Sequence, residues 1–187
     1  MEVAISMEDN VDVERIESSA VPENIFWDFS TALYIRKDVK DACECLRRKY
    51  ELNINLVMFC CWVAQKQYDI FSIEGMSFIA NHINTWNHGI VEGLKKVYAK
   101  LACHSIGDET ANLANGTLND ILLAEKIEQW LILQAMDKLG ARQSITQDPA
   151  EIALKNIFNY INSQQVALHK TDLEKVYRIV KECFAEH

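Results

Sequence analysis

The scarcest thing in this chain is structural punctuation: six Gly and two Pro in 187 residues. A sandwich or barrel reverses direction roughly every 8–12 residues and draws on Gly, Pro, Asn and Asp at each turn. This sequence cannot supply that many turns, so long helices with few connections are what remains. The apolar fraction of 49% against 25% charged residues excludes a disordered chain and leaves enough material for a core. The length suits one domain, or one domain with an appendage.

Apolar spacing divides the body into eight helical segments and gives no convincing strand. Asn24 is placed to cap the first, which carries Phe26, Phe29, Ser30 and Leu33 at helical spacing, with Trp27 and Tyr34 beside them. Asp38 is placed to cap the second, whose Val39, Ala42, Cys43, Leu46 and Tyr50 share one face. The third, from about Asn55 to Gln67, is apolar nearly all round, the mark of a central buried helix. Ser72 is placed to cap a fourth that points Ile73, Met76, Ile79, Ile83 and Trp86 inward, and Gly89 is expected to interrupt or kink it before a fifth continues to Leu101. His104 to Gly116 reads as largely loop; a sixth helix follows Thr117 and ends near Gly140. Asp148-Pro149-Ala150-Glu151 and Thr171-Asp172-Leu173-Glu174 look like helix starts. The short connection between these last two helices implies an antiparallel hairpin. The expected architecture is all-α: a compact multi-helix bundle with a C-terminal antiparallel helical hairpin. Its parts are an acidic tail over 1–23, a helical domain over 24–140 and the hairpin over 141–187.

Charge is unevenly placed. The net charge is −8, but residues 1–23 hold seven acids and one base and so carry −6, which leaves −2 for the rest. An acidic chain is a poor match for non-specific nucleic-acid binding, which rests on neutralising phosphates. The N-terminus lacks the basic start and the ~7–15-residue apolar run of a signal peptide. The longest apolar run, Leu56 to Ala64, is too short for a membrane span. Six cysteines without a framework spacing fit a reducing compartment. A cytoplasmic, non-membrane protein is expected.

The run FWDFSTALYIRKDVKDACECLRRKYELNINLVMFCCWVA, Phe26 to Ala64, resembles a proteobacterial family of small uncharacterised helical proteins. That family carries a pattern close to FWxFSxxLY, then VxxACxxL, then DVNLLLFCxW. The matching residues include Phe26, Trp27, Phe29, Ser30, Leu33, Tyr34, Cys43, Asn55, Phe59, Cys60 and Trp62, and the likeness extends more weakly over residues 24–135. Asn53 stands where the pattern has Asp. The resemblance implies a helical fold and no particular activity.

Chemistry-bearing motifs are thin. His82 and His88 diverge on a continuous helix, Cys43 and Cys45 likewise, and no CxxC, HExxH or ExxH spacing occurs, so no metal site is expected. Cys60 and Cys61 sit in the most apolar segment, where burial makes a thiol inert. Cys103 beside His104 is the better candidate for reactivity, without a third orienting group. No phosphate loop or nucleophile elbow is present, and no carboxylate stands out on an otherwise apolar face. No catalytic residue, cofactor or metal is therefore assigned. The candidate partner or ligand surface is Trp27, Tyr34, Asn55, Trp86, Lys95, Lys96 and Lys100. Asn55 reads as a cap of helix three or a bond to a neighbouring helix end. Arg47, Arg48 and Lys49 form a second basic cluster.

The function expected is a non-catalytic, cytoplasmic protein-interaction or regulatory role, with an unidentified protein partner or a second copy of the chain. One alternative is a small-molecule-binding protein or enzyme using a pocket between helices. The other is a nucleic-acid-associated regulator using basic helix faces.

Overall fold

The structure is a computed structural model of the chain, and it describes residues 24–104, 106–143 and 148–185. The acidic tail lies outside them. Among the described residues there are eight α-helices and one π-helical turn: α1 (Ile25–Tyr34), α2 (Lys37–Tyr50), α3 (Ile54–Gln65), α4 (Ile73–Trp86), the π turn (Asn87–Val91), α5 (Glu92–Cys103), α6 (Asp108–Lys138), α7 (Pro149–Ser163) and α8 (Lys170–Cys183). The all-α bundle expected from the sequence is present.

Helix starts follow local chemistry where a side chain can reach an orphan N–H. The carboxamide of Asn24 accepts from the Phe26 N–H, Ser72 Oγ from Gly75, and Asp148 from Ala150 with Pro149 in the first turn. Three expected starts differ. α2 begins at Lys37 after Arg36, with no side-chain cap, so Asp38 sits in the first turn instead. α3 is capped by Asn53, whose Oδ1 accepts from the Leu56 N–H, and Asn55 lies inside the helix. α8 is capped by the His169 ring, so Thr171 and Asp172 fall in its first turn. The expected loop at 104–116 is mostly helix: α6 starts at Asp108 and runs 31 residues. Gly116 lies inside it with open space where a Cβ would stand, so packing does not require a glycine there. Gly140, at φ +64, ends the helix as expected.

α3 is the axis of the bundle. Residues Leu56 to Ala64 are all buried, and α3 packs against α7, α1 and α6. Phe59 meets Phe26, Trp62 and Phe71 at centroid separations of 6.0, 6.4 and 5.7 Å. Asn156 Oδ1 accepts from the Phe71 N–H at 2.8 Å and Asn159 donates to the Phe71 carbonyl at 2.8 Å, so α7 clamps the α3–α4 connection.

The last two helices dock on the body, α7 on α3 and α4, α8 on α2. Asp172, nearly buried at the start of α8, accepts from the Tyr50 hydroxyl at 2.8 Å and from Lys49 Nζ at 3.0 Å. The Tyr50 hydrogen bond and then the Lys49 ammonium hold its carboxyl below the usual value. A depressed pKa gives stability that is present above the unfolded carboxyl range and is lost as pH falls through the folded value. Asp172→Asn is expected to melt lower than the parent at pH 5, with the gap closing by pH 2. A gap independent of pH would show that the carboxylate charge is not what fastens α8.

Candidate functional site

α6 carries an apolar stripe that faces the bundle: Ile121, Ala124, Ile132 and Ala135 are all buried. Glu128 sits in the middle of that stripe and is completely buried, with Gln129 beside it at 1% exposure. This is the carboxylate on an apolar face that the sequence reading missed. The signal was the register itself, since positions 121, 124, 128, 132 and 135 form one helical line.

A buried carboxylate must be hydrogen-bonded. Glu128 Oε1 accepts from Asn53 Nδ2 at 2.5 Å and more weakly from Asn55 Nδ2 at 3.4 Å, and Oε2 accepts from Asn87 Nδ2 at 3.0 Å. Gln129 Nε2 donates to Asn55 Oδ1 and to Ser30 Oγ, each at 2.9 Å. Burial pushes the Glu128 carboxyl above its ordinary value, opposed by the Asn87, Asn53 and Asn55 amides and by the Lys95 charge.

The π turn makes the third amide available. Trp86 Nε1 donates to the Ala124 carbonyl at 3.0 Å, and the next residue, Asn87, reaches Glu128. Adjacent residues of a regular α-helix diverge by about 100°. Asn87 is the first residue of the wider π turn, formed where Gly89 weakens the α-helical preference, so the pair straddles the change of winding. One network thus ties α1, α3, the π turn and α6 together.

Chemically it is a lock. The carboxylate is sealed from solvent, and its hydrogen-bond partners among the described residues are amide donors. The expected surface residues fall in three places. Asn55 belongs to the network and Trp86 borders it. Trp27 is half-buried, and Tyr34 donates to Glu44 Oε1 at 2.7 Å. Lys95 is held by Glu125 at 3.0 Å and Glu92 at 3.2 Å, whereas Lys96 and Lys100 are exposed and in no ion pair among the described residues. In the second basic cluster, Arg47 binds Glu44 and Lys49 binds Asp172. Half of the six bases thus have acidic partners, which weakens them as a phosphate-binding face.

Other candidate chemistry stays dispersed. His104 Nδ1 is engaged by the Lys100 carbonyl at 2.8 Å. The Cys43 thiol is pushed up to about 12 by burial, and the Cys60 thiol is pushed higher. Among the described residues no three His, Cys, Asp or Glu side chains group as metal ligands. No helix there is long and apolar enough to cross a membrane. An open concavity of about 440 Å³ lies against α4 and the end of α7, lined by residues including Ile73, Glu74, Phe78 and Asn162. None of Trp27, Tyr34 or Trp86 lines it.

These features define a helical scaffold pinned by a buried carboxylate–amide lock. The chain belongs to a family described as protein of unknown function (DUF2390), whose model matches residues 25–132. The matched span holds every member of the lock and leaves α7 and α8 outside. Comparison with curated proteins and with solved structures gives no match.

Proposed function

We propose that the chain is a non-catalytic interaction protein that presents the α5–α6 hairpin to a protein partner. The observation that carries this reading is where apolar surface remains exposed. α5 has no buried residue. Ile90, Val97, Leu113, Leu118, Leu122 and Leu123, on the π turn, α5 and the N-terminal half of α6, are each between 39% and 59% exposed. Scattered apolar residues need no explanation, but a concentration on one element marks an interaction surface. Two helices alone cannot enclose their apolar faces. The lock supports the reading because it fastens α6 to the bundle at Glu128, C-terminal to the exposed Leu113, Leu118, Leu122 and Leu123, and so fixes the direction in which they are presented. A prepaid orientation of this kind lowers the entropic cost of association.

The test is a photo-activated cross-linking residue at Val97 or Leu123 in the full chain, in its native cell, with Tyr177 on α8, 51% exposed, as the control position. Protein adducts are expected from the two hairpin positions and not from Tyr177. Adducts only at Tyr177, or at no position, would overturn the reading.

A further inference from the structure

Resting on that reading, we infer that the partner on one face of the hairpin is a second copy of the same chain. Helical spacing sorts the exposed residues into two faces. On α6, Leu113, Gly116, Asp120, Leu123 and Ile127 recur at alternating steps of three and four, and Ile90, Gly93, Val97 and Lys100 do the same on the π turn and α5. This is the spacing of a seam between helices packed about 20° apart. Leu118 and Leu122 fall on the opposite face, the side on which Lys95 meets Glu125.

Three properties of the first face suit a copy of itself. Added Cβ atoms at Gly93 and Gly116 would meet nothing within 4 Å, so both positions are open and, without side chains, let a facing helix come close. Size sets a lower bound: the 14 residues from Ile90 to Cys103 span roughly 21 Å and two helices are roughly 20 Å across, a flat footprint of roughly 420 Å² before side-chain relief is added. One partner of a standard interface contributes about 800 Å². Charge is self-complementary, since α5 contributes the exposed base Lys100 and α6 the exposed acid Asp120, neither in an ion pair among the described residues. A two-fold axis running along the hairpin lays α5 of one copy on α6 of the other, so Lys100 approaches the copy's Asp120 twice over. Two stacked hairpins then form a four-helix bundle, which closes the apolar faces.

The experiment is light scattering after gel filtration of the full chain under reducing conditions, from about 1 to 100 μM, with circular dichroism to check folding. The parent is expected at twice its 21.5 kDa mass. Val97→Asp and Leu123→Asp are expected to stay helical and to weaken dimerisation at least ~30-fold, as loss of a central apolar contact does. Leu122→Asp, on the opposite face, should remain dimeric. Lys100→Glu or Asp120→Lys alone should weaken the dimer several-fold, and the double exchange should restore it. A parent monomeric at 100 μM, or a dimer untouched by both aspartates, would overturn the inference. In that case cross-links from Val97 and Leu123 to a different polypeptide would leave the interaction reading standing, and their absence would remove it as well.

Discussion

Glu128→Ala is expected to lower the stability of the chain by about 3–5 kcal/mol, on the order of 10 °C in Tm. The loss does not come from the carboxylate's own attraction. It comes from removing the acceptor oxygens that the half-buried amides of Asn53, Asn55 and Asn87 share, and from the gap left where a fully buried side chain stood. Glu128→Gln keeps the shape and one acceptor oxygen, and the Asn87 amide can turn its oxygen toward the new Nε2. Its cost is expected to be nearer 1–2 kcal/mol. Urea denaturation read by circular dichroism separates the two. An alanine variant within about 1 kcal/mol of the parent would mean that the network does not lock α6.

The same pair of proteins carries a pH signature. Burial raises the Glu128 carboxyl above its unfolded value. The stability this gives is fully present below the unfolded carboxyl range, near 4.3, and is lost as pH rises through the folded value. The parent's stability relative to Glu128→Gln should therefore fall from pH 4 upward and level off once the folded carboxyl has ionised. A relative stability that rises with pH would contradict the burial argument. Asn53→Asp sharpens the test. It keeps the cap on Leu56 but sets a second carboxylate where an amide now donates at 2.5 Å. Two carboxylates at that distance cannot both ionise cheaply, so the pH dependence should steepen.

What the sequence made legible follows from what local chemistry decides. Scarce Gly and Pro, helical spacing and caps such as Asn24, Ser72 and Asp148 depend on neighbours within one turn, and those elements appear where expected. The start of α6 was hidden because residues 108–116 have no apolar face of their own. They are helical by continuation from a packed segment and by pairing with α5. The lock was hidden for a different reason. Asn53, Asn87 and Glu128 are far apart in sequence, and each alone reads as a cap or a surface residue; only the packing of α3, the π turn and α6 makes them one object. Asn55 was singled out correctly as an amide needing partners, but its partners lie on α6, 73 and 74 residues away. The hairpin surface is half legible: Lys96 and Lys100 stand out by charge, while nothing local marks Val97 between them as exposed.

Phe59→Ala is the other substitution expected to act strongly, costing about 3–5 kcal/mol. Phe59 is fully buried on α3 and in contact with three aromatic rings from α1, α3 and the start of the α4 connection. Truncation removes the ring's transfer free energy and leaves a cavity that Phe26, Trp62 and Phe71 cannot all close over. Two of them are tethered: Phe71 by hydrogen bonds to Asn156 and Asn159, Phe26 by the Asn24 cap. Phe59→Leu, which refills part of the volume, should recover most of the loss. Phe78→Ala, at a ring 43% exposed and stacked on His82, should cost much less. The distinguishing readout is the Trp62 share of the fluorescence during urea unfolding, isolated from the other three tryptophans by subtracting the signal of a matched Trp62→Phe background. In Phe59→Ala the Trp62 signal should shift before the helical signal is lost, because the ring packed against it is gone, whereas in Phe78→Ala the two should remain coincident. Equal losses in the two alanine variants would mean that α3 is not the centre of the core.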